Sequence, residues 1–170
     1  MYSKWARQAA EHFIKEGEYL VPPPYVPSDL LKQRACYITL LENPGRKVRA
    51  MYGQVLPQQP TLAQEIAVNT VRTLEQTPAR PVRRADLPHL HFSVALLGPL
   101  QRVSDLEHLN PQHSGLYVRS DRGKMALLLP QRTGIETASD QVATALREAG
   151  IQPQIESFTM YRFDVEYDDG

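Results

Sequence analysis

The chain has 170 residues, 42% of them hydrophobic, and its nineteen basic residues are balanced by nineteen acidic ones. That length suits one substantial core, and the zero net charge excludes a global field that would draw the protein onto phosphate backbones or anionic membranes. A single cysteine, Cys36, excludes an internal disulfide and any multi-cysteine metal site; no run approaches the ~20 apolar residues of a membrane span, and with no apolar signal segment a cytoplasmic location is expected.

From Ser3 to Gly17 the pattern is helical: Trp5, Ala9 and Phe13 stand four apart beside Ala6, Ala10 and Ile14, with Ser3 as the expected cap and Gly17 as the stop. Pro22, Pro23, Pro24 and Pro27 then exclude regular helix or central strand, so the chain is expected to run extended over the surface before Ser28 starts a single helical turn. "ACYITLLENPGRKVRAMYGQV" reads as a hairpin whose turn is Asn43 to Gly45. Thr61 with Gln64 is a capping-box signature, and Ala63, Ile66, Ala67, Thr70, Val71 and Leu74 trace one face of the helix that follows.

After a proline-broken, arginine-rich connection, "HLHFSVALL" alternates Leu90, Phe92, Val94 and Leu96 with polar or small residues and predicts a strand. "GLYVRSDRGKMALLLP" predicts a second hairpin turning near Arg122 and Gly123, with Met125 to Leu129 expected to be buried on both sides. Val142, Leu146 and Ala149 mark a last helix stopped by Gly150, and "SFTMYRFDVEY" a last strand. Helices placed between hairpins argue for an α+β fold with an antiparallel sheet and flanking helices. The whole chain, 1–170, is expected to be a single domain, with residues 54–92 as a smaller lobe inserted into a main lobe of residues 1–53 and 93–170.

The segments "ACYITL", "VRAMYG", "GLYVRSDRGKMALLLPQ", "REAGI" and "YRFDVE", in this order and spacing, resemble the AMMECR domain family. The resemblance spans Pro23 to Glu166 and implies an antiparallel α+β fold, with a larger lobe built from both termini and a smaller α/β lobe across a cleft. The family's hallmark, Leu-Arg-Gly-Cys-Ile-Gly, falls on Val48, Arg49, Ala50, Met51, Tyr52 and Gly53, of which only Arg49 and Gly53 match. The cysteine, the family's candidate nucleophile, is here Met51, whose thioether has no proton to lose. Asn69 stands at the family's asparagine and Leu127 to Gln131 are retained, whereas the family's Asp-Pro-Arg-Phe segment and its tryptophan before the last helix have no counterpart.

Arg49 has the planar fork that suits carboxylate or phosphate, and the plainer reading pairs it with a nearby carboxylate to fix a strand edge. Gly53 permits close approach of a ligand or simply relieves crowding at a strand end, and Tyr52 is either a cleft wall or a half-buried strand tyrosine. Cys36 reads as a small buried hydrophobe rather than a nucleophile. His89 and His91 share a strand face but lack a third ligand, so neither metal nor other cofactor is expected. Arg80, Arg83 and Arg84 form the one concentrated basic patch. No phosphate-cradling or nucleophile-elbow motif occurs.

The expected function is therefore a non-catalytic binding or adaptor protein, with Arg49, Tyr52, Gly53, Asn69 and Gln131 as candidate ligand-binding residues. The partner would be a small anionic ligand or another protein, for which the resemblance implies Memo-type or radical-SAM proteins. Two alternatives stand beside it: an enzyme using Arg49 and Tyr52 in the cleft, and an RNA-binding module acting through the Arg80 to Arg84 loop.

Overall fold

The computed structural model describes residues 1–170 throughout. Seven strands and four helices follow one another as α1 (Tyr2–Glu16), α2 (Ser28–Leu31), β1 (Cys36–Glu42), β2 (Lys47–Gly53), α3 (Leu62–Leu74), β3 (Leu90–Leu97), β4 (Gln101–Val103), β5 (Ser114–Ser120), β6 (Met125–Leu128), α4 (Ala138–Ala149) and β7 (Phe158–Asp168). The fold is α+β, and each of these strand pairings is antiparallel.

Two compact units result: residues 1–97 with 166–170, and residues 98–165. The division lies elsewhere than the expected lobe boundaries. Segment 54–92 does not stand apart, because α3 rests on β1 and β2 and buries Leu62, Ala63 and Ile66 in the same core as Ile38 and Leu40. An inserted lobe would need a core of its own, and this segment has none.

In the first unit the strand order is β2-β1-β3, with β2 at the edge. One face, made by Cys36, Ile38 and Leu40 of β1, Ala50 of β2 and Phe92, Val94 and Leu96 of β3, is covered by α1 and α3. Each fully buried leucine or isoleucine there contributes roughly 1.5–3 kcal/mol. Trp5 anchors the helix pair, its indole N–H donating to the Ala63 carbonyl at 2.8 Å. Gly17 ends α1 in the left-handed region at φ 75°, as its position predicts.

Ser3, by contrast, is not the cap of α1. Its hydroxyl donates to Asp168 at 2.8 Å, and the same carboxylate accepts the N–H of Tyr2. Burial pushes the Asp168 pKa up, but hydrogen bonds from the N-terminal ammonium, Gly170 and Ser3 outweigh it and hold the carboxyl far below its ordinary range.

In the second unit β6, β5, β7 and β4 lie side by side, β5 and β4 pairing opposite edges of β7. Leu116, Val118 and Leu128 meet Ala145 of α4 together with Ile135 and Ile151. The expected double burial of Met125 to Leu129 is corrected: β6 is an edge strand, and Met125 is exposed. A run of apolar residues alone does not distinguish a central strand from an edge strand whose single covered face is satisfied by Leu128. Lys124 closes the hairpin onto the segment after α4, donating to Glu156 and to the Gly150 carbonyl, each at 2.8 Å. That hydrogen bond holds the Glu156 carboxyl down at about 2.

Candidate functional site

The hallmark-like segment is β2, and its register explains why its residues part company. Leu40 faces Ala50 while Leu41 faces Val48, so Arg49 is an extra residue, a β-bulge. A bulge kinks the strand and re-aims the side chain it carries. Arg49 is thereby brought beside Glu42, its Nη1 lying 3.4 Å from Glu42 Oε1 and 3.7 Å from Asp86 Oδ2, and its Nη2 donates to the Arg80 carbonyl at 2.8 Å. The guanidinium side chain is 4% exposed.

Arg80 adds a second cation to the group, 2.9 Å from Glu42. The Asp86 carboxyl sits below its ordinary range, chiefly because the Arg83 N–H donates to it, with the Arg49 and Arg80 charges helping. A pocket of about 260 Å³ is lined here by Glu42, Asn43, Arg49, Arg80, Asp86, His89 and Leu90. Two cations face two carboxylates, so the pocket offers an anion little net attraction. Glu42 and Asp86, the residues that occupy Arg49, escaped the sequence reading; Glu42 was legible as the hairpin partner of Lys47, two residues from Arg49.

Tyr52 faces Ile38, on the helix-covered side of the sheet, and its hydroxyl meets the Gln54 amide at 3.1 Å. It makes no hydrogen bond to Arg49 or to a histidine. His89 closes a 3-10 turn (Arg84–His89) instead of opening β3, so it does not share a strand face with His91; the two line different pockets. No group of three or more His, Cys, Asp or Glu residues is placed to hold a metal ion.

Asn69 is buried in α3, where its amide donates to the Cys36 carbonyl at 3.0 Å and lies 3.4 Å from Glu65. Glu65, also buried, accepts the N–H groups of Gln58 and Gln59 at 2.8 and 2.7 Å and so ties the loop after β2 to α3. A carboxylate four residues before an asparagine on an apolar helix face was the signal in the sequence, and it went unread. Burial pushes the Cys36 thiol up to about 12, only partly offset by the Asn69 amide at 3.5 Å. A thiol so held is not a nucleophile at neutral pH. Gln131 belongs to the second unit; it is exposed, has φ 61°, and donates its N–H to the Pro111 carbonyl at 2.8 Å.

Met51 and Gly53 point the other way, opposite Thr39 and Tyr37 on the face of the sheet away from α1 and α3. A Cβ added at Gly53 would come within 2.5 Å of the Cys36 carbonyl and of the Tyr37 ring. Gly53 is thus required by the aromatic ring laid across it. Met51 is 43% exposed and Val48, opposite Leu41, is 58% exposed, while Tyr37, Thr39 and Leu41 are half-buried. The outer face of the hairpin is an apolar, solvent-facing surface centred on Met51.

The hairpin is thus an edge element of an antiparallel α+β fold, with one face given to the core and the other open to solvent. The AMMECR1 family model matches residues 3–167, and the chain belongs to that family. A protein of Thermotoga maritima is 34% identical over 167 residues, covering 97% of this chain and 95% of its own. A longer protein of Clostridium acetobutylicum is 28% identical over 166 residues, 96% of this chain but 35% of its own length. The crystal structure of an uncharacterized protein from Pyrococcus horikoshii shares the fold with a TM-score of 0.86 at 23% identity, covering 98% of this chain and 88% of that one. No helix is long and apolar enough to cross a membrane.

Proposed function

We propose that this protein is a non-catalytic binding module whose contact surface is the outer face of the β1-β2 hairpin, with Met51 at its centre and Tyr37, Thr39, Leu41, Val48 and Gly53 around it. The observation that carries this reading is the exposure of Met51, at the position the resemblance aligns with the family's cysteine. A flexible, polarizable thioether suits adaptable apolar contact and supplies neither nucleophile nor proton.

The state of the other groups supports the same reading. Arg49 and Asn69, expected to greet a ligand, are spent on Glu42, Asp86 and the Cys36 carbonyl. A catalytic pairing of Arg49 with Tyr52 is disfavoured, since an acid or base must lie within hydrogen-bond reach of the group it serves. The Arg80 to Arg84 loop is a poor RNA footprint, because Arg80 is paired with Glu42. The surface fits a neutral or apolar contact better than a small anion, which favours a partner chain; Memo-type and radical-SAM proteins are the ones the resemblance nominates.

The test is native mass spectrometry of the protein isolated gently from its own host, with Met51→Asp and Tyr52→Phe alongside. A bound mass lost in the first variant and kept in the second is the expected result. A turnover activity abolished by Tyr52→Phe in a folded protein would overturn the proposal.

A further inference from the structure

The stretch between α1 and α2 takes no part in the surface just described. Residues 18–26 make no hydrogen bond to the rest of the chain; the next one to a distant segment comes only at Lys32, whose carbonyl accepts the Leu62 N–H at 2.8 Å. Leu20 and Val26 pack against the core and hold the two ends down. Between them the chain bends at Pro24, Val21 is 78% exposed, and Tyr25 is 95% exposed. Three consecutive rings, Pro22 to Pro24, lock φ near −65° and remove three N–H donors, so this stretch offers unpaired carbonyl acceptors and stiff apolar rings. An almost fully exposed tyrosine beside them is a large, amphipathic anchor with few rotors to immobilise.

We infer that Pro22 to Tyr25 is a docking motif for a partner protein bearing an aromatic-lined groove that clamps proline rings, with a neighbouring pocket for the tyrosine. Such grooves exploit a ligand that is ordered before it binds, which reduces the entropy lost on association. The two anchored ends give this chain that advantage over a free peptide. An apolar patch made for self-association would be flat and continuous. This one is a short bent stretch, exposed at Val21, Pro23, Pro24 and Tyr25, with hydrogen-bond acceptors along it, which suits a concave groove.

The experiment titrates a purified WW domain, as the aromatic-groove probe, into the full chain and into a free peptide of residues 19–28. Variants Tyr25→Ala and Pro23→Ala accompany the full chain, with thermal melts on each. The full chain is expected to bind at least as tightly as the peptide, and Tyr25→Ala to weaken binding about tenfold or more with an unchanged melting temperature. Binding by the peptide alone would show that the body of the protein withholds the motif and would overturn the inference. Absence of binding by both, equal affinity in Tyr25→Ala, or Tyr25-dependent dimerisation in light scattering would do the same.

Discussion

Arg49 and Met51 stand two residues apart on β2, yet the first is enclosed by Glu42, Asp86 and the Arg80 carbonyl while the second meets solvent. The bulge at Arg49 makes the difference. Without it, strict alternation would put both side chains on one face; with it, Arg49 turns toward the buried side and Met51 stays out. The family-like arginine is therefore part of the scaffold, and the residue that departs from the family pattern occupies the open surface.

Substitutions can break this contrast in a graded way. Arg49→Ala removes one cation from beside Glu42 and Asp86 and the donor to the Arg80 carbonyl; because Glu42 keeps Arg80, Asp86 keeps the Arg83 N–H and both carboxylates keep some access to water, a loss of about 1–2 kcal/mol is expected, below the ~3–5 of a wholly buried pair. Urea denaturation checks it, and a loss under ~0.5 kcal/mol would mean that Arg49 is not structural. Gly53→Ala drives a methyl group into the Tyr37 ring and the Cys36 carbonyl, with an expected cost of about 1–3 kcal/mol. The double variant Gly53→Ala, Tyr37→Ala should recover part of that loss, since removing the ring removes one of the two collisions.

A pH titration sharpens the buried side. The Cys36 thiol is raised in the folded state to about 12, so its contribution to stability is whole below the unfolded thiol pKa of ~8.5 and declines as pH rises from there toward the folded value. The stability difference between wild type and Cys36→Ala should therefore be flat from pH 6 to 8 and shrink above pH 9. A difference that grows with pH would contradict the burial. Smallest of all, Met51→Thr should change stability by less than ~0.5 kcal/mol, as an exposed strand position allows, while abolishing whatever the native protein retains at that face.

Much of the architecture was legible in the sequence because it rests on short-range physics. Gly17 and Gly150 stop helices where their positions foretold, Thr61 accepts the Gln64 N–H, and the Asn43 to Gly45 turn closes the β1-β2 hairpin. The site was less legible. A bulge is a property of two strands in register and leaves no mark on one, so the reversal of Arg49 was invisible. The partners of Arg49 came from Glu42 and Asp86, seven residues before it and thirty-seven after, and only the folded chain brings them together. His89 falls on a strand face when period two is extended one residue too far, from Leu90 back into the last residue of the 3-10 turn that holds Pro88.

Thiol labelling separates the two sides of β2 most directly. Native wild-type protein, whose single thiol is Cys36, and a Met51→Cys variant would each be mixed with a colorimetric disulfide reagent at pH 8. No labelling of the wild type is expected until denaturant is added, and rapid labelling of one thiol per chain is expected in the variant. Rapid labelling of native wild type, or a Met51→Cys thiol as protected as Cys36, would contradict this expectation.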